Sequence, residues 1–435
     1  MPGVVVIGGG WSGCAAALTA VKAGAREVTL LERTDMLLGT GLVGGIMRNN
    51  GRYTAAEEAR ALGCGDLFET ADAVARHKNV TFPGHQHATL YDVCLIEPAV
   101  RRVLEDYGVK YHLLSRVKDI EMDEDRVVAA VTDQGDKFYG DVFVETTGSC
   151  GPQGNCARYG NGCAMCIIRC PSFGPRVSIA AKAGVPEFFG RKADGSIGAM
   201  SGSCKLNKDS LSPEIVRRLN RDGVVLVPVP PELQKGEGAL KTKACQQYAL
   251  PQFNENLILL DTGHAKLMTS FYPLAKLRRI PGFENARYED PYAGGVGNSV
   301  RYLALSPRDN HLKVIGVANL FCGGEKTGPL VGHTEAIVTG SLAGRNAVLY
   351  ATGRELLELP ADLAIGDIIS YTNEQIKTEA GLKRKYTFSG ADYFVRMKEK
   401  NLYTIDHAVI RERVGRLGLA GIFERSYGAG AVSVG

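Results

Sequence analysis

Residues 4–33 read VVVIGGGWSGCAAALTAVKAGAREVTLLER. Val4 to Ile7 is a fully apolar, β-branched run suited to the centre of a parallel sheet. Gly8, Gly10 and Gly13 follow at the spacing G-x-G-x-x-G, and a small-residue helix runs from Cys14 to Ala23, closed by Gly24. A second apolar strand, Val28 to Leu31, ends in Glu32. Gly8 permits a tight turn, Gly10 lets a pyrophosphate approach the backbone, and Gly13 allows close helix–strand packing. Trp11 and Ser12 stand at the helix N-terminus, whose unbonded N–H groups and partial positive charge suit a phosphate. Glu32, 24 residues after Gly8, falls where a ribose hydroxyl needs an acceptor. Strand, triplet, helix, strand and acid in this order predict a dinucleotide-binding unit.

Which dinucleotide binds is decided downstream. Arg33 opens a stretch that reaches Gly39, Gly41, Gly44 and Gly45, a glycine-rich passage placed to run close under a cofactor. Residues 109–139 read as short alternating strands with turns near 123–125 and 133–135. The apolar strand Asp141 to Glu145 runs into Thr146-Thr147-Gly148, and Val314 to Phe321 runs into Cys322-Gly323-Gly324-Glu325. Three motifs in this order across more than 300 residues point to FAD bound by a glutathione-reductase-type fold. Gly294-Gly295-Val296-Gly297 lacks a strand-to-helix context, so no separate NAD(P)H unit is expected.

With these motifs the chain resembles the GidA (MnmG) and TrmFO group of flavoproteins. The segments that carry the resemblance are Gly8 to Glu32, Thr146-Thr147-Gly148, Ile280 to Ala286, and Gly332 to Ala336 continuing through Gly340 to Ala347. The resemblance implies an α/β, Rossmann-like FAD fold. It also implies that Gly328, Gly332, His333 and Thr334 lie against the flavin ring, and that the reaction is flavin- and folate-dependent modification of tRNA uridine. A shared fold does not carry the reaction with it.

The second informative stretch is Cys150-x5-Cys156-x6-Cys163-x2-Cys166-x3-Cys170-Pro171, five of the chain's 11 cysteines. Its last part matches the end of a ferredoxin-type ligand run, with Gly160 where the first cysteine would stand. One reading is an iron–sulfur cluster on Cys156, Cys163, Cys166 and Cys170. A second is a redox dithiol of Cys163 and Cys166 working with the flavin, and a third is structural zinc or plain thiols. Cys322 is a further candidate redox group and His333 a candidate acid. Lys326 is placed to stabilise a reduced, anionic cofactor or else simply faces water. His85 and His87 share one strand face without a third ligand.

Composition bounds the rest. The chain has 435 residues, 45% of them hydrophobic and 23% charged, with a net charge of +4. That is ordinary for a folded protein and argues neither for nucleic acid nor for a membrane partner. No apolar run approaches the ~20 residues of a membrane span, and the chain enters a strand at once, so a cytoplasmic protein is expected. The division expected is FAD domain, first part, over 1–150; an inserted cysteine-rich substrate domain over 151–255; FAD domain, second part, over 256–360; and a helical segment over 361–435. The last is basic at Lys383, Arg384, Lys385, Arg411 and Arg413, yet Glu374, Glu379, Glu399 and Glu412 interleave, which favours a solvated face over an RNA site. The function expected first is a FAD-dependent oxidoreductase whose flavin chemistry is coupled to the cysteine segment, with the tRNA-uridine modification that the resemblance implies and an electron-relay flavoprotein subunit of a complex as alternatives; the expected partner is a small-molecule substrate or an electron-transfer protein. A homo-oligomer is compatible with all of this.

Overall fold

The computed structural model describes residues 1–148, 173–200, 203–234, 250–269, 272–289, 300–301 and 303–427. Its centre is a parallel sheet of five strands. These are β1 (Gly3–Ile7), β2 (Glu27–Leu31), β3 (Lys110–His112), β4 (Val142–Glu145) and β5 (Leu320–Cys322), in the order β5-β4-β1-β2-β3. β1 sits in the middle, with Val4 opposite Val28 on one side and Val142 on the other. Val4, Val5, Val6 and Ile7 are all buried, as expected for a strand covered on both faces.

Between β1 and β2 runs helix α1 (Trp11–Lys22), and after β5 comes helix α2 (His333–Ala351). The two helices press together because small residues remove the side chains that would hold them apart. A Cβ on Gly340 would lie 2.1 Å from the Ser12 carbonyl oxygen, and one on Gly344 would lie 2.1 Å from that of Ala16. The strands expected over 109–139 form a three-stranded antiparallel meander, Val117–Asp123, Arg126–Thr132 and Lys137–Tyr139. Its turns hold Glu124 and Gly135 at positive φ.

The inserted module is built around an antiparallel sheet ordered Cys204–Leu206, His264–Leu267, Asn256–Thr262, Val224–Pro228. Leu206, Leu219, Leu259, Leu267 and Phe283 share one apolar cluster there. Residue 256 is therefore no boundary: Asn256–Thr262 pairs along its length with Val224–Pro228, and the module extends to the Glu289 region. Local periodicity cannot reveal this, because a strand's partner is a tertiary fact.

The segment beyond 361 is helical, with helices Ala364–Gln375, Ala391–Glu399 and His407–Arg416. It is no appendage: Ile368, Phe388, Tyr393, Met397 and Val414 belong to the same core as α1 and α2. Part of its charge is internal wiring. Arg396 and Lys400 pair with the buried Asp367 at 2.8 and 2.5 Å, and Lys385, buried, donates to the Arg191 carbonyl at 3.0 Å.

Candidate active site

A cleft of about 1090 Å³, open mouth included, opens at the C-terminal edge of the parallel sheet. All three cofactor motifs meet in it. Gly8, Gly10, Trp11 and Ser12 come from the β1–α1 turn, and Glu32 and Arg33 from the end of β2. Thr146, Thr147 and Gly148 follow β4. Gly323, Gly324 and Glu325 follow β5, and Gly332, His333 and Ala336 come from the start of α2.

The backbone explains why glycine is needed. Among the described residues, a Cβ on Gly10, Gly39 or Gly148 would meet no atom within 4 Å, so these three residues border open space of the cleft. Gly8 is different: it has φ +109, and a Cβ there would lie 2.5 Å from the Thr146 carbonyl oxygen. Gly13 does not line the cleft. Its Cβ would sit 1.8 Å from the Gly8 carbonyl oxygen, so it serves helix–strand packing.

Polar groups along the cleft suit an ADP-containing ligand. Glu32 is buried, and its carboxylate accepts from the Gly9 and Thr34 N–H groups at 2.7 and 2.9 Å. Those bonds fix its direction and leave lone pairs for a diol, since a carboxylate offers about four acceptor sites. Among the described residues the Ser12 hydroxyl, buried at the start of α1, has no hydrogen-bond partner. A phosphate oxygen would satisfy it and the helix N–H groups together. These observations fit FAD: the ribose end at Glu32, the pyrophosphate at Gly10 and Ser12.

At the α2 end, His333 and Tyr91 form a pair 3.2 Å apart. The Tyr91 hydroxyl donates to the Gly41 carbonyl at 2.6 Å. Its one hydrogen is committed there, so His333 Nδ1 must be the donor between them and Nε2 is the basic nitrogen. Burial pushes the Tyr91 hydroxyl well above its ordinary value, keeping it neutral.

Several expected residues lie elsewhere. Gly41 is behind the cleft, where its Cβ would press on the Trp11 ring at 2.5 Å. Gly328 faces Thr372, and Thr334 is buried with its hydroxyl 3.6 Å from Met47 Sδ. Cys322 ends β5 in the middle of an apolar cluster with Val5, Ile7 and Phe143, outside the cleft lining. Burial pushes its thiol up to about 12, and its side chain packs in the core rather than facing the cleft. Lys326 is neither exposed nor in the cleft. It is fully buried, paired with Glu187 and 3.4 Å from Glu145. Burial alone would raise the Glu145 carboxyl, but Lys326, Arg176 and the Ala180 and Ile179 N–H groups hold it below the ordinary range.

His85 bonds Asn49 at 2.7 Å and His87 bonds Asn79 at 3.0 Å, so they do not converge. Among the described residues no group of three His, Cys, Asp or Glu could hold a metal ion. Cys150, Cys156, Cys163, Cys166 and Cys170 lie outside the described residues. The residues on either side, Gly148 and Pro175 to Val177, line the cleft.

Sequence reading missed Ser115, Arg116 and Arg176, which also line the cleft. Ser115 N donates to the Glu32 carbonyl at 2.8 Å, and Arg116 Nε to that of Pro175 at 2.7 Å. No motif marks them, because long-range contacts bring them to the cleft.

The family model for glucose inhibited division protein A, GidA, matches residues 3–226 and 256–355. The chain belongs to the GidA family. This is a family of FAD-binding flavoproteins. GidA from Aquifex aeolicus superposes in one crystal form with a TM-score of 0.66 at 18% identity, over 96% of this chain and 73% of that one. A second crystal form gives 0.62 at 17% identity, over 98% and 76%. Both support the fold.

In sequence, a methylenetetrahydrofolate–tRNA-(uracil-5-)-methyltransferase TrmFO from Thermosipho melanesiensis is 34% identical over 130 residues, 28% of each chain. The TrmFO of a Ruegeria species is 31% identical over 94 residues, 22% of this chain and 20% of its own. The matches thus span about a quarter of these relatives. No helix among the described residues is long and apolar enough to cross a membrane.

Proposed function

We propose that the chain holds FAD in this cleft and oxidises or reduces a substrate admitted beside His333. The carrying observation is the glycine-bordered void on which three distant motifs converge. FAD, when bound, supplies acceptance and release of a hydride or of single electrons. The protein's share is orientation and proton handling. Glu32 takes the ribose hydroxyls, Ser12 and the α1 N-terminus take the phosphates, and His333 keeps a proton on Nδ1 toward Tyr91 while Nε2 can take one. The test is the absorbance spectrum of the purified protein, with the flavin identified after acid release. Protein that carries no flavin and takes up none from added FAD overturns the reading.

Within that chemistry, the substrate we favour is a uridine of tRNA, with a folate-borne carbon as co-substrate. The family match supports this, because it crosses from the FAD domain into the inserted module rather than stopping at the cofactor fold. A gel shift with bulk tRNA at low salt, and mass spectrometry of nucleosides after incubation with methylenetetrahydrofolate, test it. Absence of both binding and modified uridine refutes it.

A second reading keeps the flavin and makes the thiols between Cys150 and Cys170 its electron partners, as dithiol or cluster. Its support is that Gly148 and Pro175, on either side of them, both line the cleft. Iron and sulfide assays on anaerobically purified protein separate cluster from dithiol. A small molecule or electron-transfer protein would then be the partner, in a cytoplasmic setting.

A further inference from the structure

Five cysteines fall among the described residues, and of these Cys94 alone is exposed. It is not a solitary thiol. Its Sγ lies 3.5 Å from His264 Nε2, and His264 Nδ1 lies 3.2 Å from Glu289 Oε2. The three come from separate places in the chain. Cys94 sits in the turn before helix Ile96–Asp106 of the FAD domain, and His264 begins strand His264–Leu267 of the inserted module. Glu289 is held by its N–H on the Lys205 carbonyl at 3.0 Å. The turn is fixed by Asp92, which accepts from the Cys94 N–H at 2.9 Å and pairs with Arg76 at 3.0 Å.

A carboxylate on Nδ1 settles the imidazole's tautomer, so Nε2 presents its lone pair to the thiol. That is the relation of acid, base and nucleophile that a covalent site requires. Burial favours the neutral pair. Burial and Asp92 push the Cys94 thiol up, and burial holds His264 down against Glu289. The site is thus built for proton removal during attack rather than for a standing thiolate.

We propose that Cys94 is a nucleophile with His264 as its general base and Glu289 as the positioning residue, acting on an electrophilic sp² carbon: a carbonyl, or an alkene conjugated to one. As the Sγ–C bond forms, the Sγ proton passes to His264 Nε2 and the π pair moves to the electrophile's far atom. That atom then takes the proton from Nε2, so the net change is addition of S–H across the double bond. The site is independent of the flavin reading.

The test uses the full chain as purified and N-ethylmaleimide as the probe, with acid quench and peptide mass spectrometry at Cys94. Folded protein at pH 7 should label about 100-fold faster than Cys94 of the urea-unfolded chain, the low end of general-base catalysis. His264→Asn should remove that advantage. Glu289→Gln should lower it severalfold and Glu289→Asp should restore most of it. Labelling at the unfolded rate, or indifference to His264→Asn with native circular dichroism, overturns the proposal. Should His264→Asn misfold, the Glu289 pair decides: equal rates in Gln and Asp variants refute it.

Discussion

Gly10 and Gly13 stand in one motif three residues apart, yet the structure gives them opposite tasks, and alanine at each separates the two. At Gly10 the backbone has φ −70 and ψ −178, angles any residue adopts, and among the described residues the added methyl meets no atom within 4 Å. Gly10→Ala should therefore leave the stability of the flavin-free protein within ~1 kcal/mol of wild type. The methyl instead enters the space assigned to the pyrophosphate. An overpacking cost of ~1–3 kcal/mol would then appear wholly in binding, weakening FAD about 5- to 150-fold. At Gly13 the methyl lands 1.8 Å from the Gly8 carbonyl oxygen, so helix and strand must part by about 1.6 Å to reach ordinary contact. Gly13→Ala should cost ~3 kcal/mol or more with no ligand present. Urea unfolding of deflavinated protein followed by circular dichroism reads the first quantity, and quenching of FAD fluorescence on titration reads the second. Wild-type FAD affinity in Gly10→Ala, or equal loss of stability in both variants, would refute the placement of the cofactor.

Other expectations follow from single interactions. Glu32→Gln keeps the shape but gives up a charge-assisted acceptor, so FAD should bind about 10-fold more weakly by the same titration; unchanged affinity would remove Glu32 from the site. Lys326→Met leaves Glu145 and Glu187 without their shared ammonium, a loss of ~3–5 kcal/mol in urea unfolding for a broken buried pair. Cys322 should resist iodoacetamide in the folded protein and react only on unfolding, and Cys322→Ala should leave the flavin spectrum unchanged. Burial opposes ionisation of Asp367, but Arg396 and Lys400 prevail and lower its carboxyl. A depressed acid contributes stability that is complete above its ordinary value of ~3.9 and is lost as pH falls through the lowered one. The acid limb of unfolding should therefore flatten in Asp367→Asn.

The part of this protein written locally was legible from its residues. An all-apolar β-branched run, a glycine triplet and an acid at set spacing dictate β1, α1, β2 and the place of Glu32 at the cleft, because turn geometry, helix N-terminus and close packing each depend on neighbours a few residues away. Thr147-Gly148 and Gly324-Glu325 were legible for the same reason. What no local pattern carries is partnership. Asn256–Thr262 reads as a strand anywhere, and only pairing with Val224–Pro228 assigns it to the inserted module. Lys326 reads as a surface cation, and only burial between Glu145 and Glu187 makes it structural. Cys322 reads as a thiol beside the cofactor, until the strand turns it into an apolar cluster. Cys94, His264 and Glu289 are 170 and 25 residues apart along the chain and form one site because two modules meet there. Side-chain type and short spacing determine what a residue is able to do; the long-range packing that buries or pairs it determines which of those things it does.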